Sequence, residues 1–522
     1  TGISDVGSWY LVVNADRESA LTNERVDLSG GEHIVIRAWP EDAAWQKRVS
    51  ALLTTGLPEL VEQTGLNWPV TGDLSIFEVH TPLLEGYAGV FLQGEDKIEI
   101  SEDLDDLTIL HEASHAWFNG DLFDGRWINE GFADTYAAKA LDGIGSPSVT
   151  PGDVSPTDKA AVRLVDWVHP GRITDAETDA REQYGYDASW TVIRSIVREV
   201  GDPGMQHVLT AAEDHQIAYV GSGEPEVVGG SNDWRRLLDL LDELGRSAKA
   251  DDVFRRWVVT DAQAGMLDER ASARTAYAAL ARAGGDWQAP YYVRGRMSDW
   301  DFPAATTRIA EAIALLARRD QIAAIAVPLG VTPPADLRTA YQGARDSLDD
   351  ANHVADSETA AVRALATATV AVAAPRAPLV ALGLLGTTPE IVLAAARSAF
   401  SAGDADAGAR AAAVTALIDG AVEVGRGRLI AAIAGVVVAV ILLVLALVLL
   451  RRRRRRQRAS ALAGPGADAG AAGGEPPYAT LADQSNRALD ADPTAARPTS
   501  VDPMDAPDPP DSPDPPDPPG PP

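Results

Sequence analysis

Hydrophobic and polar residues change rhythm three times along this chain. Up to about residue 100 they come in short alternating runs. His33-Ile34-Val35-Ile36-Arg37-Ala38-Trp39, Leu74 to His80 and Tyr87 to Gln93 read as strands. Gly94-Glu95-Asp96 reads as a hairpin turn into Lys97-Ile98-Glu99-Ile100, and Pro40-Glu41 opens a helical pattern that lasts to about Gln63. From 101 to about 280 the helical period takes over. Ser101-Glu102-Asp103-Leu104-Asp105-Asp106 offers capping side chains and acids suited to the positive end of a helix. Leu107, Leu110, Ser114 and Trp117-Phe118 continue that helix as an apolar stripe, and Ile128 to Leu141 reads as a second helix. Gly-, Pro- and Ser-rich stretches at 143–156 and 221–231 read as loops near a cleft. Residues 281–425 are Ala-rich and helical, broken by Pro and Gly. They are expected to form a helical stalk or a partner-binding helical domain.

The third change is the sharpest. Leu429 to Leu450 is a run without a single charge, followed at once by an arginine-rich segment from Arg451 to Arg458. As a helix the run would be about 33 Å long, enough to cross the apolar layer of a bilayer. The positive-inside rule then puts residues 451–522 in the cytoplasm and residues 1 to about 428 outside it, in a single-pass protein of the cell membrane. The arginines also suit contact with anionic lipid. Beyond them the chain is rich in Gly, Ala, Asp and Pro, a composition expected to stay disordered and extended, with a possible cytoplasmic partner for the Pro-rich end. The expected order is therefore a mixed α/β part (1–100), a helical part of the same unit (101–280), the Ala-rich helices (281–425), the span (429–450) and the tail (451–522). The fold class is α+β.

Composition narrows the chemistry. A net charge of -31 argues against a nucleic-acid partner, which needs a basic face. With no cysteine in the chain, disulfides, thiolate metal sites and cysteine nucleophiles are excluded. An exported unit of this size calls for an export signal. None is visible after Thr1-Gly2-Ile3, so the chain is expected to be a processed product or part of a longer protein.

One segment carries chemistry. His111-Glu112-Ala113-Ser114-His115 is H-E-x-x-H, in a chain with only eight histidines. Composition alone would produce that pattern in roughly one such chain in two hundred. Residues four apart share a helix face, so His111 and His115 can offer nitrogens to one ion. Glu112, beside the first ligand, can take a proton from a zinc-bound water without binding the metal. Glu130, in Trp127-Ile128-Asn129-Glu130-Gly131-Phe132-Ala133, is the candidate third ligand. Asp134, a turn later, can orient a ligand imidazole. An edge strand beside such a helix could hold an extended peptide by backbone hydrogen bonds.

The segment resembles the gluzincin metallopeptidases of the aminopeptidase N family, which read H-E-x-x-H-x-W-F and then W-L-N-E-G-F-A. The resemblance is specific over about residues 85–200. It implies a zincin, thermolysin-like catalytic domain with one Zn2+ per chain held by His111, His115 and Glu130, with Glu112 as general base. It also implies a catalytic tyrosine, for which Tyr186 falls in the expected window and Tyr184 is the fallback. The stretch from His115 to Glu130 is shorter than the family's, and Asn119-Gly120 stands in place of Gly-Asn. The G-x-M-E-N motif that binds a substrate's free amine is missing; Glu85 is the nearest acid to its place. The expected function is a membrane-anchored zinc metallopeptidase acting on a peptide or protein substrate, with exo- or endopeptidase action open. The alternative is a non-catalytic peptide- or partner-binding ectodomain on the same fold, signalling through the span.

Overall fold

The computed structural model describes residues 17–80, 89–170 and 175–460. Its elements mix one small sheet with many helices, as the α+β expectation has it. The sheet consists of β1 (Thr22–Asp27), β2 (His33–Ala38), β3 (Leu74–Val79), β4 (Gly89–Leu92) and β5 (Lys97–Ser101), in the order β1-β2-β3-β5-β4. β2, β3 and β5 run parallel, while β1 and β4 are antiparallel edges. The register aligns Ile34 with Leu74, and Ile36 with Ile76 and then Ile98. Every second residue of each strand therefore points the same way. These side chains and Ile100 are fully buried and form the floor on which the helices pack. The opposite face holds a small cluster of Leu21, Phe77 and Val79.

The expected strands and the turn between β4 and β5 are present, with Asp96 left-handed in that turn (φ 49). β1 was not expected. The helix after β2 is α1 (Ala43–Thr64), capped by Asp42, whose side chain accepts from the Trp45 N–H. Helices α2 (Asp106–Ser114) and α3 (Arg126–Gly143) follow the sheet. Asp105 caps α2 by accepting from Thr108 N–H. The helix ends sooner than its apolar stripe suggested. Asn119 is the physical reason: its amide donates to the carbonyls of His115 and Ala116, at 3.0 Å each, and closes the chain into tight turns. Trp117 is drawn aside by its indole N–H bond to the Asn67 carbonyl, 2.8 Å.

Ten helices come next in the chain: α4 (Ala176–Val200), α5 (Asp202–Glu213), α6 (Trp234–Glu243), α7 (Ala250–Val253), α8 (Asp261–Gly284), α9 (Tyr291–Ser298), α10 (Phe302–Ala326), α11 (Asp336–Gly343), α12 (Asp349–Ala373) and α13 (Pro378–Gly383). α14 (Pro389–Ser401) and α15 (Ala407–Ser460) complete the described part. Both stretches read as loops, 143–156 and 221–231, lie largely between helices. Buried apolar side chains form one continuous cluster from Val26 to Val414, with no break near residue 280. The chain divides instead at Val436 into a first unit and a second beginning at Val437. α15 contains the charge-free run and, among the described residues, is the one helix long and apolar enough to cross a membrane. The Pro-rich tail beyond residue 460 and the acid Glu85 lie outside the described residues.

Candidate metal centre

α2 and α3 bring three of the expected residues to one point. His111 Nε2 lies 3.1 Å from His115 Nε2, and the Oε2 atom of Glu130 is 3.2 Å from the His111 nitrogen and 3.4 Å from the His115 nitrogen. Tetrahedral zinc, with bonds of about 2.0–2.1 Å, needs its ligand atoms about 3.3–3.4 Å apart. The three atoms match that spacing, and they form the group of potential ligands found among the described residues. Glu130 Oε2 is buried and has no hydrogen-bond partner. A buried carboxylate oxygen left so is costly unless something positive completes it.

The other nitrogens of the two rings are engaged. His111 Nδ1 meets Asp134 Oδ1 at 2.8 Å, and His115 Nδ1 meets the Phe118 carbonyl at 2.9 Å. A carbonyl can only accept, so Nδ1 of His115 carries the hydrogen and its Nε2 lone pair faces Glu130; a carboxylate favours the same tautomer in His111. The early end of α2 matters here, because the turn at Ala116–Phe118 folds the Phe118 carbonyl back under His115.

Glu112 is buried next to this triangle, under the edge strand β4. A Cβ on Gly89 of β4 would come within 2.5 Å of Glu112 Cγ, so only glycine lets the strand approach this carboxylate. Burial pushes the Glu112 carboxyl above its usual range, opposed by His111 and His115. Glu130 goes the other way: burial raises it, but the positive charge that the two imidazoles carry when protonated outweighs burial and holds it well below the carboxylate range.

Tyr186 reaches the site from α4. Its ring centroid lies 6.4 Å from that of His111. The approach of α4 depends on the glycine after Glu130, since a Cβ on Gly131 would sit 2.6 Å from the Ser189 carbonyl. Burial, with the nearby charge of Glu130, raises the Tyr186 phenol far above its usual value, so it stays a hydrogen-bond donor. Tyr184 is buried elsewhere, under the influence of Asp158 and Arg163.

Three side chains not singled out from the sequence complete the arrangement. Arg126, four residues before Glu130, donates from Nη2 to the Tyr186 hydroxyl at 3.1 Å. It grips Glu182 with two bonds, 3.1 and 2.6 Å, and its Nε stands 3.7 Å from Glu130 Oε1. The guanidinium lies over the Trp167 ring, 3.9 Å from the centroid, and Trp167 Nε1 donates to Glu182 at 2.9 Å. A pattern search for ligand spacing has no means of finding this group. An arginine one helical turn before the candidate ligand was its single local signal.

No protein-family model matches the chain, and no curated protein matches it significantly.

Proposed function

We propose that the chain is a zinc metallopeptidase of gluzincin type, anchored in a membrane by residues 429–450 with its catalytic unit outside the cytoplasm. The observation that carries this reading is the orphaned Oε2 of Glu130, set at zinc-ligand distances from two imidazoles whose tautomers point their lone pairs at it. His111, His115 and Glu130 would hold the ion. When bound, zinc supplies Lewis acidity, polarising a scissile carbonyl and lowering the pKa of water.

The remaining work falls to the chain's own groups. Glu112 takes a proton from the attacking water and delivers it to the leaving amine; its raised pKa suits both directions of that transfer. Tyr186 donates a hydrogen bond to the oxyanion of the tetrahedral adduct. Because its oxygen already accepts from Arg126, its own hydrogen is directed away from that arginine. Asp134 and the Phe118 carbonyl hold the ligand rings in register. β4, an edge strand beside Glu112, offers backbone groups to an extended peptide.

The test is the full-length protein in detergent with zinc, and its Glu112→Gln variant, each incubated with a diverse peptide mixture and read by mass spectrometry. Turnover is expected to fall by about 10²–10⁴-fold in the variant, with zinc still bound. Products shortened from the amino end would mark an aminopeptidase, and internal cuts an endopeptidase. Equal behaviour of the two proteins, both holding zinc, would sink the enzymatic reading and favour a peptide-binding module.

A further inference from the structure

Large aliphatic side chains exposed outside the apolar run are few among the described residues, and they are unevenly placed. Val168, Val220, Val227 and Val327 come singly from separate parts of the chain. Val370 (72 % exposed), Leu385 (61 %), Ile391 (66 %), Val392 and Val424 all fall in the segment that leads into Leu429. Packing does not require the pair on α14 to be apolar. The buried face of that helix is Leu393, Ala396, Ala399 and Phe400, while Ile391 and Val392 face outward.

Specific contacts bind this segment to the start of the run. Arg428, next to Leu429, donates from Nη1 to the carbonyls of Leu382 and Leu385, 2.8 Å each. α13 lies backbone to backbone against α15: a Cβ on Gly383 would meet the Ala421 carbonyl, and one on Gly425 the Leu379 carbonyl. Arg376, in the link from α12 to α13, pairs with Glu390 at the start of α14. Leu385 is therefore held at the level where the charge-free run begins.

We propose that the end of α12, α13 and the first turn of α14 form a collar that rests on the lipid bilayer. Leu385, Ile391 and Val392 enter its apolar layer, and Arg376, Arg426 and Arg428 lie at the level of the headgroup phosphates. The inference rests on reading residues 429–450 as a membrane span. Exposed aliphatics rimmed by arginines are what an interfacial segment requires, because the apolar side chains leave water while the guanidinium groups stay with phosphate. A bilayer is the occupant the contacts favour, since the patch is tied to the first turn of an apolar run that would itself be in lipid. Docked in this way, the first unit is fixed in height and tilt above the membrane, which would favour substrates presented close to the surface.

Because the chain has no cysteine, single cysteines report alone. Full-length Leu385→Cys, Ile391→Cys, Val327→Cys and Val438→Cys variants would be spin-labelled and reconstituted in phosphatidylcholine–phosphatidylglycerol vesicles. Collision with oxygen, which concentrates in lipid, is compared with collision with a water-soluble nickel chelate. Labels at 385 and 391 are expected to show an oxygen-to-nickel ratio several-fold above that at 327 and below that at 438. Ratios at 385 and 391 equal to that at 327, with 438 in lipid, would overturn the collar and leave the span intact. A label at 438 open to nickel would overturn the span itself, and the collar with it. Labels at 385 and 391 shielded from both reagents and broadened by each other would assign the patch to a second copy of this chain, and the collar would fall.

Discussion

Two clusters of buried charge lie in the same continuous core, and they close in opposite ways. In the first, Arg270 is almost fully buried between α6 and α8. It donates to Asp239 at 2.8 Å and pairs with Asp242 at 2.8 Å. Asp239 also accepts from the Tyr219 hydroxyl at 3.1 Å and from Trp300 Nε1 at 2.8 Å. Neither Arg270 nor the two aspartates has an unpartnered buried polar atom. In the second, Glu112, Glu130 and Asp134 bring three carboxylates together with two imidazoles, and Glu130 Oε2 is left unanswered. Nearby Arg126 is committed to Glu182. The lesson is that buried charge by itself says little about function. The informative feature is an unpartnered buried oxygen grouped with two other candidate metal-binding atoms.

The strongest way to break this contrast is to open the closed cluster. Arg270→Met would leave the buried Asp239 without its paired cation, while Asp242 keeps Arg274, and removing one partner of such a buried pair costs about 3–5 kcal/mol. The variant is expected to lose about that much stability in urea unfolding, and Arg270→Met with Asp239→Asn to recover part of it. Zinc affinity of the folded fraction should not change in either. Loss of zinc from folded Arg270→Met would show that the two clusters are one system.

A gentler test loosens the open cluster without taking away a candidate ligand. In Asp134→Asn the amide oxygen can still accept from His111 Nδ1, but the negative charge behind the ring is gone. Partners of this kind are worth about 10–100-fold in metal affinity. Competition with a chromogenic chelator should show zinc binding weakened by that factor, with Glu112 chemistry still detectable at saturating zinc. Unchanged affinity would reduce Asp134 to a packing role.

The same contrast explains which parts of the molecule could be read from its sequence. His111, Glu112 and His115 were legible because one helical turn brings them together. Glu130 and Asp134 repeat that spacing on α3. Tyr186 came from a resemblance, not from spacing. Arg126, Glu182 and Trp167 were not legible, since the last two join the first from 56 and 41 residues away and none has a spaced companion. The strands with a fully buried face were plain. β1 (TNERVD) was not: it is an edge strand with three exposed residues, and its pairing with β2 is what makes it a strand. The end of α2 was missed for a similar reason, because the Asn119 amide that closes it acts from beyond the helix.

Glu78 sharpens the comparison at the smallest scale, because it is a buried carboxylate with no cation paired to it among the described residues. It stands on β3, 2 % exposed, and accepts from the Trp39 N–H at 2.8 Å. Burial pushes its carboxyl from 4.5 up to about 7; the Trp39 bond opposes this, and Asp42 and Glu102 add to it. The folded chain therefore holds this proton more tightly than the unfolded chain does. The stability so gained is full below about pH 4.5 and is lost as the pH rises through about 7. The span of that shift sets a ceiling of about 3 kcal/mol, and relaxation around the charge should leave about 1–2 kcal/mol. Glu78→Gln keeps an acceptor for Trp39 and never ionises. At pH 8 it should unfold at higher urea than the wild type, and at pH 4.5 the two should coincide. Parallel curves from pH 4.5 to 8 would mean that water reaches Glu78, and that this carboxylate, like the Arg270 cluster, is already answered.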